Sequence, residues 1–164
     1  MKIDSLEKLY VHELKDLHSA EKQILEALPR MISKATDQEL RDALEHHRKE
    51  SEDHLARVDQ LFVNLEYEPG GHKCKGIEGV IREAEQTLAD TEDQDVRNAA
   101  IIAGCQRVEH YEIAAYGVAR AFAAKLGRQE DVEMLTRTLE EEGVADRTLT
   151  KIAEQRVNFT ARTA

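Results

Sequence analysis

The strongest constraint on the fold is that four long segments carry apolar residues at helical spacing, and carboxylates interrupt each apolar face near its middle. The second segment shows this best, because its apolar face includes Leu40 and Leu44 and resumes at Val58. The positions between them on that face are His47, Glu50 and His54. Burying an unpaired carboxylate is costly. The face is therefore exposed at this level, salt-bridged there, or coordinating a ligand.

The composition favours a helical domain without a nucleic-acid partner. The chain has 164 residues, which is enough for one domain with a sizeable core. It is heavy in Ala, Leu, Glu, Lys and Arg, with 34% charged and only 4% aromatic residues, which argues against a β-sandwich or a barrel. The formal net charge is −10 without a clustered basic patch, so nucleic acid is not expected as a partner.

The apolar runs and the cysteines indicate in which cellular compartment the protein is expected. No apolar run approaches the roughly 20 residues that span a bilayer, so no membrane partner is expected. Residues 1–5 lack the apolar core of a signal peptide. Two cysteines do not make a disulfide framework, and we expect a cytoplasmic protein with reduced thiols. Cys105 is predicted in the core, whereas the exposure of Cys74 stays open.

Capping and turn signals divide the chain into four long helices and a short one. Asp4 or Ser5 can cap the first helix, and residues 36–39 form a capping-box pattern that opens the second. Residues 69–71, Pro-Gly-Gly, begin a long connection, and residues 158–164 are expected to be a frayed tail. The predicted helices are A at about 4–34, B at 37–66, a short helix at 77–89, C at 93–126 and D at 129–157.

The lengths of the connections predict the fold. Short turns make A and B, and likewise C and D, antiparallel neighbours. We therefore expect one all-α domain over residues 1–164, a ferritin-like four-helix bundle of two helical hairpins joined by a long crossover that carries the short helix. An up-and-down bundle is disfavoured because roughly 25 residues separate helices B and C.

The carboxylates of the four faces lie at matched heights. Glu21 and Glu50 are about 15 and 14 residues from the A–B turn, and at ~1.5 Å per residue both lie roughly 21 Å from it. Glu112 and Glu142 are each about 15 residues from the C–D turn. Residues at i and i+3 or i+4 share a helix face. The partners at this spacing are His54 for Glu50, Glu109 for Glu112 and Asp146 for Glu142.

This carboxylate layer predicts a two-metal site. Carboxylates and an imidazole at one level of a dry core would repel one another unless cations neutralise them. Carboxylate-rich ligation suits iron or manganese better than structural zinc. Within the acidic run at 140–142, only Glu142 is expected to point inward. We expect two iron ions, or manganese, per chain, with the metal ligands Glu21, Glu50, His54, Glu109, Glu112, Glu142 and Asp146.

Helix B leaves one ligand open. Di-iron carboxylate bundles use Glu-x-x-His with the histidine at i+3. Here His54 is at i+4 from Glu50 and Asp53 is at i+3, so Asp53 is a rival ligand. His47 is expected to hydrogen-bond beside the metal rather than to bind it. Tyr116 is expected in the core.

Several motifs are spread over nearly the whole chain. They are DLHSAEKQ at 16–23, His47, Glu50 and His54, KCKGIEG at 73–79 with Glu-Ala at 83–84, VEHYEIA at 108–114, and TLEEE at 138–142 with Asp146. Together they resemble the YciE/YciF-like family of ferritin-like proteins. The resemblance implies a two-metal carboxylate site, a homodimer and an association with bacterial stress responses, without an established reaction. Some relatives have Gln at the position of His54.

Three functions are compatible with these features. The first is a non-haem di-iron or di-manganese oxidoreductase that acts on peroxide or O₂, with catalytic residues left unassigned. The second is iron binding or detoxification without specific turnover, and no storage shell is expected because no fifth helix of cage-forming ferritins is evident. The third is a non-enzymatic stress protein in which the polar layer is a structural network.

Overall fold

Helices make up the architecture of this computed structural model, which describes residues 2–163. In that range there is no strand, which confirms the all-helical prediction. None of the described helices is both long and apolar enough to cross a membrane. The helices are α1 Leu6–Lys34, α2 Gln38–Leu65, α3 Lys75–Ala89, α4 Gln94–Lys125 and α5 Gln129–Ile152, which continues through a π-helical turn, Ala153–Val157, into α6 Asn158–Ala161.

Side-chain caps explain where three of the four long helices begin, namely α1, α2 and α4. The Ser5 hydroxyl accepts from the backbone amide three residues on, at 3.2 Å, and so caps α1. Asp37 caps α2 in the same way at 2.9 Å, and Asp93 caps α4. Gly127 has φ 73°, a left-handed conformation that reverses the chain between α4 and α5. The boundaries of the bundle thus follow from local sequence.

The four long helices form a bundle in which α1 packs on α2 and α4, and α5 packs on α4 and α2. At one end, where α1 stops and α4 begins, the Thr36 amide donates to Asn98 Oδ1 at 2.9 Å. At the other end, where α1 and α5 begin, the Tyr10 hydroxyl donates to Asp131 Oδ2 at 3.0 Å. The connection from α2 to α4 must therefore run the length of the bundle, and α3 lies along α4 and α1. These are the two predicted hairpins with a helical crossover.

Apolar packing is divided between two clusters. The crossover core includes Ile24, Leu44, Ile77, Ile101 and Leu149. The distal core includes Leu14, Val58, Leu61, Tyr116 and Leu135. Burying each of the Leu, Ile and Val side chains among them stabilises the fold by about 1.5–3 kcal/mol. The two cores therefore hold in place whatever lies between them.

The C-terminal segment differs from the predicted frayed tail. Residues 158–161 form helix α6, which packs with the preceding π turn against α4. A π turn shifts the helix register by accommodating an extra residue. Val157, at the end of this turn, is buried. The prediction of a frayed tail is wrong for residues 158–161, because packing on α4 extends the helix beyond α5.

Candidate metal centre

Six buried ionisable side chains meet between the two cores. Each long helix contributes to this layer, and no member is more than 5% exposed. The members are Glu21 of α1, His47 and His54 of α2, Glu109 and Glu112 of α4, and Glu142 of α5. Helical periodicity explains the pairs, because residues at i+3 and i+7 return to nearly the same face. We call these six residues the buried layer.

Donor atoms of the buried layer form two sets among the described residues. Within each set, one atom from every residue lies within 4.8 Å of the others. The His47 set comprises His47, Glu109, Glu112 and Glu142. The His54 set comprises Glu21, His54 and Glu142. Since Glu142 belongs to both sets, the two sets adjoin, as two ions bridged by one carboxylate require.

Many polar atoms of the layer lack a partner with hydrogen-bond geometry within the described chain. They include both carboxylate oxygens of Glu112, Oε2 of Glu109 and of Glu142, and Nδ1 of His47. Leaving a buried polar atom unpaired costs about 1–3 kcal/mol. Cations would accept these lone pairs and neutralise the carboxylates. The residues present therefore fit a metal centre.

His54 is held from two sides. Its Nδ1 lies 2.8 Å from Glu142 Oε1 and 3.6 Å from Glu21 Oε1, inside the layer. Its Nε2 lies 3.1 Å from Glu141 Oε2, on the outside. Burial raises the pKa of Glu141, but hydrogen bonds from Arg57 and Arg137 outweigh it and lower the pKa to about 2. An ionised carboxylate behind the ring is the arrangement that orients metal-binding histidines.

Without a cation, protons compensate part of the charge. Burial raises the pKa of Glu109 and of Glu112 well above the ordinary value, and the charge of Glu142 raises it further. Burial raises the pKa of Glu21 to about 7 against the opposing charge of His54. Burial also acts on Glu142 and His54, but their ion pair outweighs it. That pair lowers the pKa of Glu142 and raises that of His54 to about 8.

His47 takes a more central place than expected. Its Nε2 lies 3.3 Å from Glu109 Oε1. Burial lowers the pKa of His47, which favours the neutral imidazole, the form that binds metals. Tyr116 is buried as predicted, and its hydroxyl donates to Glu21 Oε1 at 2.5 Å. The structure therefore brings His47 among the donors and places Tyr116 directly behind one of them.

The structure brings five of the seven predicted ligands into the two sets. These are Glu21, His54, Glu109, Glu112 and Glu142. The other two lie at the rim. Glu50 is 22% exposed and 3.3 Å from His46 Nε2, and Asp146 is 19% exposed and accepts from Gln106 at 3.0 Å. At about 100° per residue, Glu50 is turned roughly 60° around the helix from His47 and roughly 40° from His54.

Two residues that adjoin predicted ligands, Asp53 and Glu141, lie in different environments. Asp53, the rival of His54, is exposed, whereas His54 is fully buried. Glu141 was expected to face solvent, but it is half-buried and contacts His54 and Arg57. The sequence shows the i,i+4 pair of Arg137 with Glu141. It cannot show the contacts from α2, which depend on how α2 and α5 are rotated against each other.

A second polar cluster lies where the crossover meets α1 and α4. The Tyr111 hydroxyl donates to Asp16 Oδ2 at 2.6 Å, and Cys74 Sγ donates to the same oxygen at 3.1 Å. His72 Nε2 lies 2.7 Å from Asp16 Oδ1. Cys74, whose exposure was open, is fully buried, and burial raises the pKa of its thiol, which suppresses reactivity. We call Asp16, His72, Cys74 and Tyr111 the Asp16 cluster.

Comparisons with known proteins agree with this fold. The family model described as "Domain of unknown function (DUF892)" matches residues 5–162. Protein YciF of Escherichia coli strain K12 is 38% identical over 161 residues, covering 96% of each chain. The crystal structure of the E. coli stress protein YciF aligns with a TM-score of 0.91 and 37% identity, over 95% of this chain and 99% of that one. The structure of YcfI of Rhodopseudomonas palustris, for which a structural role is proposed, aligns with a TM-score of 0.90 and 42% identity. The alignment covers 93% of this chain and 97% of that one.

Proposed function

The chain belongs to the DUF892 family, and we propose that it is a ferritin-like stress-response protein whose buried layer binds two iron or manganese ions. One observation carries the proposal: buried, unpaired metal-donor atoms from four helices converge in two adjoining sets. The E. coli relative is described as a stress protein, which supports the biological setting.

The charge balance of the layer favours two divalent cations. Its four carboxylates carry four negative charges when ionised, and its two imidazoles are neutral as metal ligands. Two divalent cations cancel this charge. Four Glu and two His are also the ligands of di-iron and di-manganese carboxylate bundles. A donor set so rich in oxygen favours iron or manganese over structural zinc.

Each residue of the layer has a defined place in the proposed centre. The His54 set would hold one ion and the His47 set would hold the other, and Glu142, which belongs to both sets, would be shared between them. Glu141 orients His54, and Tyr116 orients Glu21. Glu50 and Asp146 lie at the rim and would reach the ions only by turning inward.

The supported reaction class is redox chemistry on peroxide or O₂. Paired iron or manganese ions supply the electrons for such chemistry when bound. The protein contributes the surroundings, because the two apolar cores limit the access of water to the layer from either side. The Tyr116 hydroxyl donates its proton to Glu21 Oε1, with 2.5 Å between the two oxygen atoms. An oxidoreductase is therefore the activity that these residues support best.

The compartment and the assembly are further parts of the proposal. Both cysteines are buried and free of disulfides, which fits the reducing cytoplasm. The homodimer rests on the family resemblance. Sedimentation velocity tests it, since a single monomeric species at micromolar concentration would contradict the dimer.

Metal titration of chelator-treated protein tests the proposed centre. We expect about two Fe²⁺ or Mn²⁺ ions per chain, as in di-metal carboxylate bundles. At a free metal concentration of 100 times Kd, each bound ion should stabilise the fold by about 2.7 kcal/mol. Fewer than one ion per chain after reconstitution would contradict the proposal. Iron binding without turnover predicts the same stoichiometry, but O₂ or peroxide consumption that stops after one equivalent per centre.

A structural role is the second candidate, and the proposed role of the R. palustris relative favours it. The ion pairs that link His54 to Glu142 and to Glu141 could serve such a role. A purely structural layer predicts that added metal leaves the melting temperature unchanged. A metal-dependent rise would favour the metal centre.

A further inference from the structure

An apolar pocket lies between α1, α3 and α4 and reaches the buried layer. Its walls include Ile24 and Met31 of α1, Leu88 of α3, and Ile101 of α4. Apart from the Cys105 thiol, its polar lining residues are His47 and Glu109, two members of the His47 set. The pocket thus joins a hydrocarbon-like space to the proposed metal ligands.

The pocket has the size of a very small molecule. It leaves about 30 Å³ for the centres of water-sized molecules. By this measure, one water needs about 10–15 Å³, so the pocket has room for a molecule of two heavy atoms. The wall between α3 and α4 is tight, because a Cβ added at Gly104 would lie 2.7 Å from Ala84 Cβ. A bulky organic substrate therefore does not fit without moving α3.

The apolar lining favours apolar molecules over polar ones. Water or hydrogen peroxide in this pocket would exchange hydrogen bonds for contacts with aliphatic side chains, which is costly. Dioxygen has no such bonds to lose. A different pocket, of about 40 Å³ between α2, α4 and α5, also reaches His47 and Glu109 but is lined by His46 and Glu50 as well. This His46 pocket offers polar partners for cations, water and peroxide.

We propose that the apolar pocket binds dioxygen and presents it to His47 and Glu109. The proposal deepens the proposed function and rests on it for what dioxygen meets at the inner end. It names O₂, rather than peroxide, as the oxidant that enters from the side of α3. The pocket itself is formed by the protein alone, so its occupancy by an apolar gas can be tested without any metal.

Xenon is the probe for the metal-free protein. Crystals pressurised with xenon are expected to show a xenon atom between α1, α3 and α4. Ala100→Leu places a larger side chain in the lining of this pocket and should abolish the site, whereas the matched variant Ala145→Leu, in the lining of the His46 pocket, should keep it. Ala27→Val, on the α1 wall, replaces Ala100→Leu if that variant does not fold. Absence of xenon from the wild-type pocket would overturn the proposal.

Kinetics with loaded protein separate this proposal from the proposed function. Ala100→Leu is expected to keep the metal content of the wild type and its rate with peroxide, while kcat/KM for O₂ falls about tenfold. An unchanged kcat/KM for O₂ in a variant that has lost xenon would overturn the route and leave the metal centre standing. Protein that binds no metal would contradict the proposed function, and the xenon experiment would still decide whether the pocket takes an apolar gas.

Discussion

The Asp16 cluster and the buried layer are both polar clusters against α1, but their atoms are paired very differently. Asp16 receives hydrogen bonds from Tyr111 and Cys74 and lies 2.7 Å from His72 Nε2. In the buried layer, both oxygens of Glu112 and one oxygen each of Glu109 and Glu142 lack a partner with hydrogen-bond geometry. The hydrogen bonds to Asp16 come from within the protein, whereas lone pairs of the buried layer remain available to a bound ligand.

The pKa directions follow this difference. Burial raises the pKa of Asp16, but hydrogen bonds from Tyr111, Cys74 and His72 outweigh it, and the pKa ends below the ordinary value. Burial raises the pKa of Glu109 in the same way, but there the neighbouring charge of Glu142 adds to the rise. Donors stabilise the ionised carboxylate and like charges destabilise it. A buried carboxylate therefore indicates a metal site only where protein donors are missing.

Among the substitutions that test the difference between the two clusters, removal of Glu142 should have the largest effect on metal binding. Because Glu142 belongs to both donor sets, Glu142→Ala is expected to lower the metal content below one ion per chain. The loss of affinity should exceed the about 10–100-fold that removal of an orienting partner costs. Elemental analysis and calorimetric titration measure both quantities. Glu140→Ala, an exposed neighbour on α5, is the matched control, and full metal binding by Glu142→Ala would contradict the bridging role.

Removal of Asp16 should act on stability instead. Asp16→Ala leaves the Tyr111 hydroxyl and the Cys74 thiol without their shared acceptor, which should lower the free energy of unfolding by about 2–3 kcal/mol. Metal stoichiometry should stay at the wild-type value. Urea denaturation and metal titration of the same preparation measure the two effects. Loss of metal with unchanged stability would reverse the assignment of the two clusters.

Removal of the charge of Glu141 tests the support behind the layer. Glu141→Gln weakens the hold on His54 Nε2 and should lower metal affinity about tenfold while stoichiometry stays unchanged. Competition with a chelator of known affinity measures the change. Glu133→Gln on the exposed side of α5 is the control. Equal affinities of the two variants would show that Glu141 does not orient His54.

The pKa of Asp16 predicts a pH dependence of the metal-free protein. The folded pKa is lower than the ordinary value of 3.8, so the unfolded chain binds the proton more readily. The stability due to Asp16 is therefore present above about pH 4 and is lost as the pH falls through the folded pKa. Asp16→Asn should be less stable than wild type at about pH 6, and the gap should narrow towards about pH 3. Urea denaturation across this range measures the gap, and a constant gap would contradict the linkage.

Substitution of the rim residues Glu50 and Asp146 is expected to change metal affinity least. Glu50 pairs with the exposed His46, and such surface pairs contribute little to stability. Glu50→Gln and Asp146→Asn should each change metal affinity by less than about threefold, or roughly 0.6 kcal/mol. Losses as large as those of Glu142→Ala would show that these side chains turn inward and ligate.

Much of the candidate site was predictable from helical geometry alone. The rise per residue is nearly constant, so counting from the two turns placed Glu21, Glu112 and Glu142 at one level. The period of 3.6 residues assigned these carboxylates to the apolar faces, and the long connection indicated two hairpins with a crossover. These features depend on backbone regularities that every helix shares, and the structure has the helices and the level where the sequence indicated them.

Only the tertiary structure decided how each helix is rotated about its axis. That rotation brings His47 into a donor set and leaves Glu50 at the rim, although both lie near one face of α2. It also brings Glu141 to His54 across two helices, and packing of α3 buries Cys74. Rotation is set by how side chains of neighbouring helices interdigitate. The sequence of a single helix does not determine how it packs against its neighbours. It therefore indicated the level of the site but not which side chains point into it.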